Sequence, residues 1–338
     1  MSEAQSPQST VDARTMTAIV APRYGTGAVL RTELVDRPNP RADEVLVRVR
    51  AASVSQGDIH LLTGTPYLLR LGFGLRRPKD PIIGHDLAGD VVAVGAEVTE
   101  FRPGDTVFGA ADAGAFAEYV CVPEQRLARV PDGLAIEAAA ALPDSGMTAL
   151  QGLRDAGRLR AGQTVLVNGA SGGVGSFAIQ LAKAFGAEVT AVCSTRHIGV
   201  LRALGADHVI DYTTDDFTVG ERRYDVLLDL IGNRSLRDCR RVLAPKGVFV
   251  SSAGAPGGNW AGPVLWMAKV LLANLFVSQR IALLLMRPRR ADLEFLAESA
   301  ADGTLRPLIE QSFPLAKAAA AVQHVCDGHA QGKTVIAV

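Results

Sequence analysis

The chain has 338 residues, 48% of them hydrophobic and 21% charged, which is enough for two domains with large cores. Lys plus Arg and Asp plus Glu each number 35, so the net charge gives no reason to expect nucleic acid or a membrane as a partner. The four cysteines, Cys121, Cys193, Cys239 and Cys326, form no CxxC pair and read as scattered core cysteines of a reducing, cytoplasmic compartment.

Residues 1–16 are polar, rich in Ser, Gln and Pro, and read as a flexible tail without the apolar stretch of a signal peptide. Strand texture follows. Val45–Val49 alternates strictly, and Leu87–Val94, Thr106–Phe108 and Phe116–Val122 add β-branched runs. Pro103-Gly104-Asp105 marks a turn before the Thr106 strand. From about Pro143 strands alternate with helices: strand Thr164–Val167, helix Val174–Phe185, strand Glu188–Cys193, helix His197–Leu204 and strand His208–Ile210. Strand Val226–Leu230, helix Ser235–Leu243 and strand Gly247–Ser251 continue the series. Short continuous apolar strands between helices predict a parallel sheet covered on both faces. Residues 260–286 are the most apolar, but Lys269, Asn274, Gln279 and Arg280 interrupt them, so they read as buried elements and not a membrane span. A helix near Ala291–Ala301, a strand at Leu308–Phe313 and the terminal Lys333–Ile336 are expected to fold back onto the first domain.

The strongest local signal is Asn168-Gly169-Ala170-Ser171-Gly172-Gly173-Val174-Gly175, set between a strand and a helix. Glycines permit the tight turn and a close backbone approach, and the helix N-terminus offers free N–H groups to a pyrophosphate. In a βαβ unit this pattern predicts a bound dinucleotide. The second strand ends in Cys193-Ser194-Thr195-Arg196, without the acid that would bind a 2′-hydroxyl. Ser194 and Arg196 suit a 2′-phosphate instead, so the expected cofactor is NADPH.

These motifs, with Gly84-His85-Asp86-Leu87-Ala88-Gly89, Gly114-Ala115-Phe116-Ala117-Glu118-Tyr119, Leu204-Gly205-Ala206-Asp207 and Gly332-Lys333, carry a resemblance over nearly all of 16–338. The chain resembles the medium-chain dehydrogenase/reductase superfamily, in its zinc-free quinone oxidoreductase-like branch. The resemblance implies an α/β fold: a doubly wound Rossmann sheet at 142–287, and a GroES-like β-barrel catalytic domain at 17–141 and 288–338. It implies a homodimer formed through the Rossmann sheet edge, at Leu271–Val277. It places Tyr212 with Ser194 and Arg196 around the 2′-phosphate, Thr148 against the cofactor, and Asp229, Ile231 and Gly232 at the nicotinamide ribose.

Zinc-dependent relatives hold zinc at positions that match Ser55, His85 and Asp144, and this set offers no thiolate. No metal is therefore expected. Three readings of His85 with Asp144 stay open: a satisfied buried polar pair, a proton-handling pair, or a metal site completed by Asp86. Without a Lewis acid, hydride transfer suits conjugated acceptors such as quinones and α,β-unsaturated ketones. Tyr67 is a candidate proton donor, and Ser55 and Gln56 are candidates to bind the acceptor oxygen. The insertion Tyr67–Lys79 mixes apolar and basic residues and points to a bulky apolar acceptor. The reading is an NADPH-dependent quinone or enone reductase. The alternatives are a zinc-type alcohol or aldehyde dehydrogenase and a non-catalytic dinucleotide-binding protein.

Overall fold

The computed structural model describes residues 14–252, 266, 269–270, 272–274, 277–328 and 330–338. A two-stranded antiparallel ribbon comes first, β1 (Thr15–Val20) with β2 (Arg31–Asp36). Of the expected tail, residues 1–13 lie outside the described ones, whereas Thr15 and Met16 already belong to β1.

The barrel sheet starts with β3 (Glu44–Val54), β4 (Asp86–Val94), β5 (Thr106–Ala110), β6 (Tyr119–Pro123) and β7 (Leu127–Arg129). The expected strand at Phe116–Val122 begins later, at Tyr119. Phe116 is held outside it: its N–H donates to Ile83 O (3.0 Å) and its carbonyl accepts from Ile19 N (2.9 Å). The run looked like a strand because a fully buried aromatic linker carries the same residues.

The six strands of the second sheet are β8 (Thr164–Asn168), β9 (Glu188–Cys193), β10 (His208–Asp211), β11 (Tyr224–Asp229), β12 (Leu243–Ser251) and β13 (Arg280–Leu283). All pair in parallel, in the order β10-β9-β8-β11-β12-β13. This is the doubly wound Rossmann order, whose direction reverses between β8 and β11. Ligands of such sheets bind beyond the strand ends at that reversal, here at the register pair Asn168 and Asp229. The expected dimer edge at Leu271–Val277 falls partly outside the described residues. Of it, 272–274 is helical, and the edge strands of the sheet among the described residues are β10 and β13.

The chain then returns to the barrel. β14 (Ile309–Pro314) pairs with β15 (Lys333–Ala337), and β15 pairs antiparallel with β3, Thr334 opposite Val54. The strict alternation read at Val45–Val49 survives only across Val47–Arg50; Ala51 to Val54 are buried on both faces. Ala51 packs into the core shared with the Rossmann sheet, while Ala52 and Val54 pack into the barrel core. The two cores thus meet at β3, and the chain segments leaving that seam carry the polar groups described next.

Candidate functional site

The turn after β8 leads into helix Gly173–Ala184. Gly169 has φ +87°, and a Cβ there would lie 2.7 Å from Ile231. A Cβ on Gly175 would lie 2.4 Å from Gly169 O. Only glycine fits these two positions. Gly172 differs: its Cβ would meet nothing closer than Gly169 O at 3.7 Å. It caps the helix without a side-chain hydrogen bond, so the first-turn N–H groups face an open approach. That cradle fits a dinucleotide pyrophosphate. Ala170 is buried, and Ser171, Gly173 and Val174 are half-buried around it.

Asn168 and Asp229 span the reversal. Asn168 Nδ2 donates to Asp229 Oδ1 (2.8 Å) and to Asn233 Oδ1 (3.0 Å). Asp229 Oδ1 also accepts from the N–H groups of Gly232 (2.9 Å) and Ile231 (3.2 Å). This carboxylate therefore shapes the loop, and Ile231 is left exposed at its tip. Thr148 is buried in helix Pro143–Gln151.

Ser194 and Tyr212 follow the adjacent ends of β9 and β10, joined by Tyr212 N donating to Cys193 O (3.0 Å). Arg196 is exposed beside them, its Nε donating to His197 Nε2 (2.9 Å). The expected 2′-phosphate residues thus lie at one corner. One carboxylate there escaped the sequence reading, because it sits on β10 and not at the end of β9: Asp211. It accepts from Thr195 Oγ1 (2.5 Å) and from Thr213 Oγ1 and N (2.7 and 3.0 Å). Those hydrogen bonds hold its carboxyl below the usual carboxylate range.

The acid–base group lies at the junction of the two sheets. Helix Gln56–Thr63 starts with a capping box: Asp58 N donates to Ser55 Oγ (3.4 Å), and Ser55 N donates to Asp58 Oδ2 (2.7 Å). Ser55 Oγ itself donates to Asp58 Oδ2 (2.9 Å). Asp58 Oδ1 lies 2.5 Å from His85 Nδ1. The carboxylate on the imidazole is therefore Asp58 and not Asp144, which corrects the expected pair. Burial pushes the His85 pKa down, but the charge and hydrogen bond of Asp58, with Asp144 and Asp86 behind it, outweigh that and hold it at about 9. Burial likewise works to raise the Asp58 pKa, and His85 and Ser55 overcome it, so Asp58 titrates below its ordinary value.

Asp144 contributes in two other ways. Its charge acts on His85, and its backbone N–H donates to Asp86 Oδ1 (3.0 Å). Asp86 Oδ2 accepts from Ser53 Oγ (3.1 Å) and from Lys333 Nζ (3.2 Å), which also reaches Ser145 Oγ (3.3 Å). Burial raises the Asp86 carboxyl to about 6 against the pull of Lys333. The Asp144 carboxyl is also raised by burial, against Lys333 and His85. Gly332 N donates to Ser171 O (2.9 Å), so the strand that carries Lys333 rests on the dinucleotide turn.

Three expected residues are placed elsewhere or already engaged. Ser55 has one hydroxyl proton, and Asp58 takes it, so this serine cannot also donate to an acceptor oxygen. Gln56 is exposed on the first turn of its helix. Tyr67 packs under the Arg70 guanidinium, 4.6 Å from its ring centroid, and does not line the cavity that Asp58 and His85 share. Asp58, Ser145 and Lys333 were missed. The Ser55-x-x-Asp58 box was a visible signal for the first; nothing local marked the other two.

The donor set does not fit zinc. Ser55 Oγ is committed to Asp58, no thiolate stands beside His85, and a buried ammonium already faces Asp86. Among the described residues no group of three His, Cys, Asp or Glu could hold a metal.

Comparison with known proteins places this geometry. The alcohol dehydrogenase GroES-like domain family matches residues 41–132, and the zinc-binding dehydrogenase family matches 204–336. The Arabidopsis thaliana chloroplast envelope quinone oxidoreductase homolog is 32% identical over 93% of this chain and 95% of its own. The human mitochondrial NAD(P)H oxidoreductase RTN4IP1 is 32% identical over 98% of this chain and 91% of its own. The chain belongs to the medium-chain dehydrogenase/reductase superfamily, in its quinone oxidoreductase-like branch. The solved quinone oxidoreductase from Coxiella burnetii superposes with a TM-score of 0.83 at 31% identity, covering 96% of this chain and 99% of that one. The protein is thus an NAD(P)H oxidoreductase of this superfamily. No helix among the described residues is long and apolar enough to cross a membrane.

Proposed function

We propose that the protein is an NADPH-dependent reductase that passes hydride to a quinone or an α,β-unsaturated carbonyl, without zinc, and that His85 supplies the proton. The observation that carries this reading is the His85–Asp58 contact of 2.5 Å, facing a cavity of about 670 Å³. Bound NADPH would supply the hydride. Asp58 keeps the Nδ1 proton and fixes the ring, which leaves Nε2–H to give to the acceptor. After that transfer the imidazole is neutral and still donates from Nδ1 to Asp58, so its orientation survives turnover. His85 is 21% exposed, which gives a route for reprotonation from solvent. Asp144 adds negative charge that favours the imidazolium, and is a positioning residue in this scheme. The relatives named as quinone oxidoreductases support the acceptor class, and the corner of Ser194, Arg196 and Tyr212 supports NADPH over NADH.

The test is steady-state oxidation of NADPH and of NADH with a water-soluble quinone and with an enone, alongside elemental analysis. We expect turnover with NADPH and less than stoichiometric metal. Arg196→Ala should raise the KM for NADPH about tenfold, the loss of one charged hydrogen bond, and leave NADH unchanged. Equal use of both cofactors by the unaltered protein would refute the preference. Activity lost to a chelator and restored by zinc would refute the metal-free scheme.

A further inference from the structure

Four large apolar side chains stand in solvent within one short segment: Leu68 (45% exposed), Leu71 (73%), Phe73 (46%) and Leu75 (68%). They are a third of the twelve exposed large hydrophobic residues among those described. Scattered exposed leucines need no explanation, but a cluster of this density does. The segment is also held in shape. Leu68 sits in a single turn, Tyr67–Leu69, and Leu71 and Phe73 in the short helix Arg70–Phe73. Arg70 ties that helix down: Nε donates to Gly64 O (2.9 Å), Nη2 donates to Thr63 O (3.2 Å), and the guanidinium covers the rings of Tyr24 and Tyr67. Tyr24 Oη donates to Gly74 O, and Lys79 N donates to Phe73 O (2.7 Å). The apolar side chains are therefore presented outward on a fixed platform instead of collapsing inward.

The cations beside them complete the pattern. Arg76, Arg77 and Lys79 are exposed, and none has an acidic partner within 4.0 Å among the described residues. Asp80 is the one acid adjoining them in sequence. The zero net charge of the chain hides this patch, because it is a sum over the whole surface.

We propose that residues 68–79 form a docking surface for an anionic lipid bilayer. Leu68, Leu71, Phe73 and Leu75 would enter the boundary between headgroups and acyl chains, and Arg76, Arg77 and Lys79 would lie at the level of the phosphates. A second copy of the chain fits less well. A two-fold contact through this patch would set its three cations against the same three, with Asp80 alone to offset them. Gly72, Phe73 and Pro78 also line the cavity that reaches His85, so its mouth would open toward the bilayer. Docking itself does not depend on the proposed reaction.

The experiment is co-sedimentation of the full chain with vesicles of phosphatidylcholine alone and of phosphatidylcholine mixed with phosphatidylglycerol, at low and high salt. We expect binding to the anionic vesicles that weakens with salt. Arg76→Gln with Arg77→Gln should weaken it by about 30-fold, at roughly tenfold or less per lost cation. Leu71→Ser with Leu75→Ser should abolish it. Thermal melting checks that each variant is folded. For the unaltered protein, amide hydrogen exchange should slow on anionic vesicles within 66–79 and not elsewhere. No binding to anionic vesicles overturns the proposal, as does binding that neither pair of substitutions changes. Self-association abolished by Leu71→Ser with Leu75→Ser, in the absence of vesicle binding, also overturns it and assigns the patch to another copy.

Discussion

The dinucleotide turn and the buried charge cluster touch, yet they are made of opposite materials. A Cβ on Gly173 would lie 2.9 Å from Ser145 Oγ and 3.0 Å from Lys333 Cδ, so the two regions are in direct contact. The turn offers backbone alone: an uncapped helix start, two positions where no side chain fits, and open space at Gly172. The cluster is built mainly from side chains: Asp58, His85, Asp86, Asp144 and Lys333, brought in from two strands and two helices or their flanks. The turn is thus vulnerable to volume and indifferent to charge. The cluster is vulnerable to charge and can keep its shape when one group is neutralised. A substitution that is mild on one side of the contact is severe on the other.

The largest effect should come from volume in the turn. Gly175→Ala drives a methyl to within 2.4 Å of Gly169 O and 2.6 Å of the Ala170 backbone, and should cost more than about 3 kcal/mol in a denaturant titration. Gly172→Ala is the contrasting test, since its methyl meets nothing closer than Gly169 O at 3.7 Å. It should leave the melting temperature unchanged within error while weakening NADPH binding at least tenfold by calorimetry. Equal effects of the two alanines on stability would break the distinction between a packed and an open face of the turn.

On the other side, Lys333→Met keeps the volume and removes the ammonium. Asp86 is then left buried with Asp144 and no cation at 3.2 Å, a loss of about 3–5 kcal/mol at neutral pH. The sign with pH follows from the Asp86 carboxyl, already raised to about 6 with Lys333 present. Without the ammonium it rises further, so the variant should regain stability as pH falls and the acid becomes neutral. Adding Asp86→Asn should recover most of the loss at neutral pH. A variant equally unstable from pH 5 to pH 8 would show that packing, and not charge, holds this seam.

A smaller effect separates turnover from stability at His85. Its raised pKa, about 9 against 6.5, means that its stabilising contribution is full below the unfolded value and fades as pH rises through about 9. Turnover that needs the imidazolium should fall on the same alkaline limb. In Asp58→Asn the chief opposing charge is gone, and the limb should move down by at least one unit in kcat, with KM for NADPH little changed. His85→Gln should lower kcat by about 100-fold and flatten that limb. An alkaline limb that stays put in Asp58→Asn would remove His85 from the proton step.

The same contrast explains what could be read from the sequence. The turn was legible because every residue that makes it lies within one short strand–turn–helix run. The alternation of strands and helices after Pro143 was legible for the same reason: apolar period and glycine stops are local. His85 was found by its position, but its partner was misread. Asp58 and Asp144 both flank the junction, and only the capping box turns Asp58 toward the ring. Ser55 was read as a group for the acceptor because a serine's hydrogen-bond partner is invisible without the helix it caps. Lys333 was quoted in a motif and given no task, since a buried ammonium declares itself only when the carboxylate opposite is known.

Lys333 and Asp86 are 247 positions apart, and Lys333 opens β15. During synthesis the dinucleotide turn and most of the barrel emerge long before the strand that fastens them together. Until β15 leaves the ribosome, β3 lacks one of its neighbours and Asp86 lacks its cation, so the junction cannot become native before that strand is made. A nascent chain stalled before β15 would carry the Rossmann strands beside an acid pocket that cannot yet close. Strand β15 therefore works as a latch, and any change that frays it would act on the site from far along the chain.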